Sequence, residues 1–129
     1  MLETIIYIVH IFVILFVVIA PFINIPAISL LHFTLSLSLL THWYLNNNTC
    51  CLTIAESYLR GVPTNESFLH KIISPIYMYP VSETKLSIIS YTVIIILMSI
   101  SFFRFVTSNQ FKKFVTFPNK INFIALFEI

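Results

Sequence analysis

Charge and glycine are what this chain has least of. Of its 129 residues only 9% are Asp, Glu, Lys or Arg, and glycine occurs once, at Gly61. Between Glu3 and Glu56 there is no charged side chain at all. A soluble domain cannot leave so long a stretch uncharged without exposing a contiguous apolar surface that aggregates. Net charge is only +2, and no basic stripe with interleaved aromatics appears, which excludes a nucleic-acid binder. Cysteine is equally sparse. Cys50 and Cys51 are adjacent and make no disulfide framework. A vicinal disulfide is strained, so a pair of thiols, or one buried and one free, is expected.

What fills the chain instead is apolar. Residues of the aliphatic and aromatic types make up 58% of it, and the mean hydropathy is +0.95. Those values lie outside the soluble range and indicate one all-α integral membrane domain over residues 1–129. Phe, Tyr, Met, Ile, Asn and Lys are abundant while Gly, Ala and Arg are scarce. That bias follows A/T-rich codons, as in a large DNA virus, an organelle or a biased microbe.

Three spans are expected, at about residues 4–22, 26–45 and 86–105. The first is apolar on all sides. A cleaved signal peptide would need a basic start and a small-residue cleavage site, but Glu3 and Pro21-Phe22-Ile23-Asn24 stand there, so an uncleaved span is expected. Pro26 opens the second span, because a proline in the first turn loses no helical hydrogen bond. This span is the more polar one. Ser29, His32, Ser36 and Trp43 fall near one helical face, and Thr34, Ser38 and Thr41 near another. Small hydroxyl residues let helices approach and bond across an interface, which makes it the centre of a bundle, with Trp43 and Tyr44 at the membrane boundary. Ser82 caps the third span, and Glu83 sits in its first turn where the helix dipole favours an anion.

Residues 46–85 form the one sizeable loop, with two short interfacial helices. Thr53-Ile54-Ala55-Glu56 has the form of a capping box, which starts the first of them at about residue 54. Gly61 ends it as the left-handed residue after the last turn. The second begins near Thr64 or Asn65 and stops before Pro75. Phe68, Leu69, Ile72 and Ile73 give it an apolar face. The tail, 106–129, carries Lys112, Lys113, Lys120 and regularly placed Phe, but Pro118 interrupts it, so it reads as interfacial. Arg104 and the tail lysines outnumber Arg60, Lys71 and Lys85 by one, which places the tail on the cytoplasmic side. The loop would then face outward or the lumen, with Asn65 a possible glycosylation site.

Cys50-x-Leu52-Thr53-x-x-Glu56-x-x-Leu59-Arg60, followed by Phe68 and by Tyr79-Pro80, resembles a family of small bacterial multi-pass membrane proteins of unknown function. That family carries Cys-Pro-Leu-Thr-x-x-Glu-x-x-Leu-Arg after its second span, a Phe…Tyr-Pro segment before its third, and a histidine in its first span, as His10 is here. Cys51 stands where the family has proline. The chain is also similar to short membrane proteins of large DNA viruses. The resemblance implies this three-span topology and no particular activity.

No catalytic or metal constellation is evident. Zinc wants four ligands in paired spacings, and no second pair accompanies Cys50. A catalytic thiol needs a base oriented by a third group, and none is identifiable. Glu56 and Arg60 form an ordinary i, i+4 pair. Histidines inside a membrane are functional candidates by default, and His10 with His32 or His42 could ligate haem. Either partner falls about one and a half turns out of level with His10, and the spans hold no glycine to make room. Neutral histidines bonded to serine or a backbone carbonyl are the expected state. No cofactor or small-molecule substrate is implied. The expected role is structural: a membrane component of a large DNA virus particle, in its internal membrane or envelope, whose partners are the bilayer and other membrane or capsid chains. The alternatives are a hydrophobic subunit of an organellar respiratory complex in the mitochondrial inner membrane, and a bis-histidine haem protein.

Overall fold

The computed structural model describes residues 1–61 and 82–116, and every regular element among them is helical. Helix α1 spans Leu2–Ile19 and passes into a 3₁₀ turn at Ala20–Phe22. Helix α2 spans Pro26–Leu45, α3 Cys51–Arg60, α4 Glu83–Thr107 and α5 Asn109–Thr116.

The local signals act where the residue types place them. Pro21 in the 3₁₀ turn ends α1, and Pro26 starts α2 after an extended Ile25. Asn47 and Asn48 take left-handed backbone, which their short polar side chains tolerate, and so reverse the chain after α2. Gly61 closes α3 at φ 64° and ψ 18°. Ser82 caps α4, its hydroxyl accepting from the Lys85 N–H at 3.4 Å.

Two boundaries differ from the sequence reading. Helix α3 begins at Cys51, three residues before the expected start, with Cys50 in extended backbone ahead of it and no side chain bonded as a cap. Thr53 therefore lies inside the first turn and is buried, so the Thr53–Glu56 capping box does not form. Helix α4 starts at Glu83, as the Ser82 cap predicts, and runs two residues past the expected end of the third span, to Thr107.

Helix α2 runs antiparallel to α4. Tyr91, early in α4, donates to Asn48 Oδ1 at 2.7 Å beyond the C-terminus of α2, while Arg104, late in α4, reaches the connection before it. These two helices make the main packing of the molecule, and α3 lies against α1. Val17, Ile94 and Leu97 form the apolar core, with Val13, Leu35 and Leu39 packed on it. Trp43 meets Tyr91 edge-on, ring centroids 5.7 Å apart.

Two helices are long and apolar enough to cross a membrane, Thr4–Phe22 (mean hydropathy 2.9) and Glu83–Thr107 (2.3). Only 22% of either apolar window is buried, so both turn most of their apolar side chains outward. Helix α2 has the length, 20 residues, but is not among them. Its serines, threonines and histidines lower its hydropathy. The second loop helix, with Asn65, Phe68, Tyr79 and Pro80, and the tail beyond Thr116 lie outside the described residues.

Candidate functional site

The chemistry of the bundle gathers on the inner face of α2. Ser29, His32 and Ser36 stand at i, i+3 and i+7, and a 3.6-residue repeat brings them onto one stripe. They are 2%, 0% and 0% exposed. Buried polar groups must find partners, and His32 finds three. Its Nε2 lies 3.0 Å from the Val17 carbonyl oxygen. Its Nδ1 lies 2.8 Å from the Ser101 hydroxyl, on α4. Ser36 Oγ sits 3.2 Å from Nε2.

The partners fix the proton. A carbonyl can only accept, so Nε2 carries the hydrogen and donates to Val17, with Ser36 Oγ taking a share. Nδ1 then accepts from Ser101. The Val17 carbonyl is open because residue 21, four positions on, is proline and has no N–H to close the next helical bond. Phe16 covers one side of the imidazole, ring centroids 6.1 Å apart. A Ser–His pair at 2.8 Å has the spacing of a nucleophile and base. Here Ser101 and His32 are both wholly shut from solvent. What the arrangement does is bind three helices together by one side chain.

That geometry also bears on haem ligation. Both ring nitrogens of His32 face protein atoms. His32 is level with Val17, seven residues from His10, which is about 10 Å along the helix axis. His10 is itself buried, at 4% exposure, in α1. His42 lies ten residues beyond His32, and the Asn46 amide sits 3.0 Å from its Nδ1 while also donating to its carbonyl at 2.9 Å. Among the described residues no three His, Cys, Asp or Glu side chains converge.

Helix α3 collects the motif residues. Thr53 and Glu56 are each 2% exposed, and Arg60 Nη2 pairs with Glu56 Oε1 at 3.0 Å. Thr53, Glu56 and Arg60 thus share one face, turned toward the bundle. Cys50 and Cys51 are both free thiols, the first half-buried and the second exposed. Burial pushes the Cys50 thiol up from its ordinary pKa, outweighing the Leu52 and Thr53 backbone N–H groups and the Trp43 side chain, which draw it down.

At the opposite end of the bundle, Arg104 holds the α1–α2 connection. Nη1 donates to the Pro21 carbonyl at 2.6 Å and Nη2 to Asn24 Oδ1 at 3.2 Å. Val17, Pro21, Asn24 and Ser101 were not singled out as site residues by the sequence. The Val-to-Pro spacing of four was a readable sign of an open carbonyl. Ser101 had only its place on the Ile94–Leu97–Ser101 face to mark it.

No protein-family profile, curated protein or solved structure matches this chain.

Proposed function

We propose that the chain is a three-span membrane protein with a structural or assembly role, α2 being the central span between α1 and α4. The observation that carries this reading is the His32 lock. Ser29, His32 and Ser36 of α2 face inward, the exposed Thr34 and Thr41 give their hydroxyl hydrogens to the Leu30 and Leu37 carbonyls of the same helix, and the apolar side chains of α1 and α4 are left for lipid. A helix of 20 residues that hides its polar stripe in this way is compatible with hydrocarbon on its other faces.

The setting we infer is the internal membrane or envelope of a large DNA virus particle, with other membrane or capsid chains as partners. The A/T-biased composition and the similarity to short membrane proteins of large DNA viruses support that setting. The excess of basic residues after α4 supports a cytoplasmic side for that end of the chain, with Arg104 at the membrane surface.

The test is mild solubilisation of the native protein and size-exclusion chromatography with visible absorbance, co-eluting chains being identified by mass spectrometry. The expected result is a colourless particle of fixed composition containing capsid or envelope proteins. Co-elution with respiratory subunits would move the chain to an organelle. A Soret band lost in His10→Ala would overturn the structural role in favour of haem.

A further inference from the structure

At the Arg104 end of the bundle the described residues line a half-open cavity of about 210 Å³, formed by Asn24, Pro26, Ser29, Arg104 and Ser108 among others. That is roughly seven waters at ~30 Å³ each, and smaller than a pocket for a drug-sized molecule. It suits one small polar group. We propose that it is a phosphate site, and that its ligand is the phosphodiester of a lipid headgroup. The assignment of the phosphate to a lipid rests on the membrane reading above; the anion site itself does not.

Four features of the cavity select an anion. The first is Arg104, whose two hydrogen bonds go to neutral oxygens, the Pro21 carbonyl and Asn24 Oδ1, and leave further N–H groups on the guanidinium. The second is the absence of a balancing charge. Between Glu83 and Glu128 the sequence has no acidic residue, and Glu83 lies at the far end of α4, about 30 Å away at 1.5 Å per residue. Glu56 is paired with Arg60 on α3.

The third is the N-terminus of the 20-residue helix α2, which opens on this cavity without a side-chain cap, because Ile25 occupies the cap position. The N–H groups of Ala27 and Ile28 therefore lack the acceptor that a Ser or Asp would supply there. The fourth is Ser29. It is 2% exposed, lines the cavity, and its hydroxyl bonds to none of the described residues, although every other buried polar side chain on the α2 stripe is engaged. Guanidinium, spare amide hydrogens of Asn24, hydroxyl and helix terminus all offer donors to one space, and no carboxylate among the described residues lines it.

The experiment uses the full chain in a neutral detergent, with native mass spectrometry and thermal unfolding as paired readouts. The probes are phosphatidylglycerol, phosphatidylcholine and inorganic phosphate. Asn24→Asp is the decisive variant: it keeps the oxygen that receives Arg104 but sets a carboxylate in the cavity. Retention of phosphatidylglycerol should fall at least tenfold in Asn24→Asp with unfolding temperature unchanged or raised. Ser29→Ala should weaken it about fivefold, the loss of one hydrogen bond. Phosphatidylcholine should be held less well than phosphatidylglycerol by the wild type.

Saturation by inorganic phosphate with the same Asn24 dependence, and no lipid retained, would keep the phosphate site and overturn its lipid source. Equal lipid retention by wild type and Asn24→Asp would overturn the site. Extraction of native membranes with alkaline carbonate separates the two readings. A chain released into the supernatant that still binds phosphate through Asn24 would overturn the membrane assignment and support the anion site.

Discussion

The His32 imidazole donates to the Val17 carbonyl at 3.0 Å because residue 21 is a proline. A helical N–H at that position would compete for the Val17 carbonyl and leave the Nε2 hydrogen only the longer contact to Ser36 Oγ, at 3.2 Å. The break in α1 and the inward histidine of α2 are therefore two halves of one feature, and each can be tested through the other.

His32→Ala removes three hydrogen bonds and opens a hole in a fully buried position. It should lower stability in detergent by about 2–4 kcal/mol, read by thermal or denaturant unfolding. An effect under about 0.5 kcal/mol would mean that the lock contributes nothing to the fold.

Pro21→Ala restores an N–H that competes for Val17. Alone it should cost about 1 kcal/mol, the size of one net hydrogen bond. In a His32→Ala background it should cost nothing or stabilise, and the difference is the coupling that a double-mutant cycle measures. Additive effects would break the link between the two residues.

The local part of this was legible and the remote part was not. Pro26, Gly61 and Ser82 act on their own few neighbours, so residue type alone placed two helix starts and one helix end. The stripe Ser29–His32–Ser36 followed from the repeat of a helix. Ser101 is 69 residues from His32, and nothing within α2 says which serine of a later helix will arrive at its level. The start of α3 was misread because Thr53 and Glu56 have the spacing of a cap. Burying both against the bundle won over capping, and α3 starts at Cys51 instead.

Arg60→Ala should cost about 1–3 kcal/mol, because it removes the cation paired with the Glu56 carboxylate, which is 2% exposed. The lower end reflects the exposure of Arg60 itself, 46%. Adding Glu56→Gln should recover part of that loss. No recovery in unfolding measurements would show that charge is not what Arg60 answers.

Gly61 sits at φ 64° with open space where a Cβ would point. Gly61→Ala should therefore meet backbone strain alone, about 1 kcal/mol, and Gly61→Asn less than half of that. A larger loss for alanine would require a steric clash that this geometry lacks.

The two thiols should separate by reactivity. At pH 8 a maleimide should modify exposed Cys51 well before Cys50, whose raised pKa leaves less thiolate at that pH and whose sulfur is half-buried. In Cys51→Ser the remaining reaction should be slow and accelerate as pH climbs past the usual thiol range. Mass spectrometry of timed quenches reads both rates. Equal rates would contradict the burial of Cys50.

The separation of His32 from Ser101 also orders events during synthesis. At roughly 5–20 residues per second, Ser101 emerges about 3–14 s after His32. During that interval the imidazole on α2 has its Val17 and Ser36 partners but lacks the Ser101 hydroxyl at Nδ1, a poor state for hydrocarbon. If α2 is the central span proposed above, its inward face is complete only once α4 has packed against it. A chain that stops before residue 101 keeps His32 without the hydroxyl that its Nδ1 accepts from, so the last partner of the lock is among the last residues of α4 to be made.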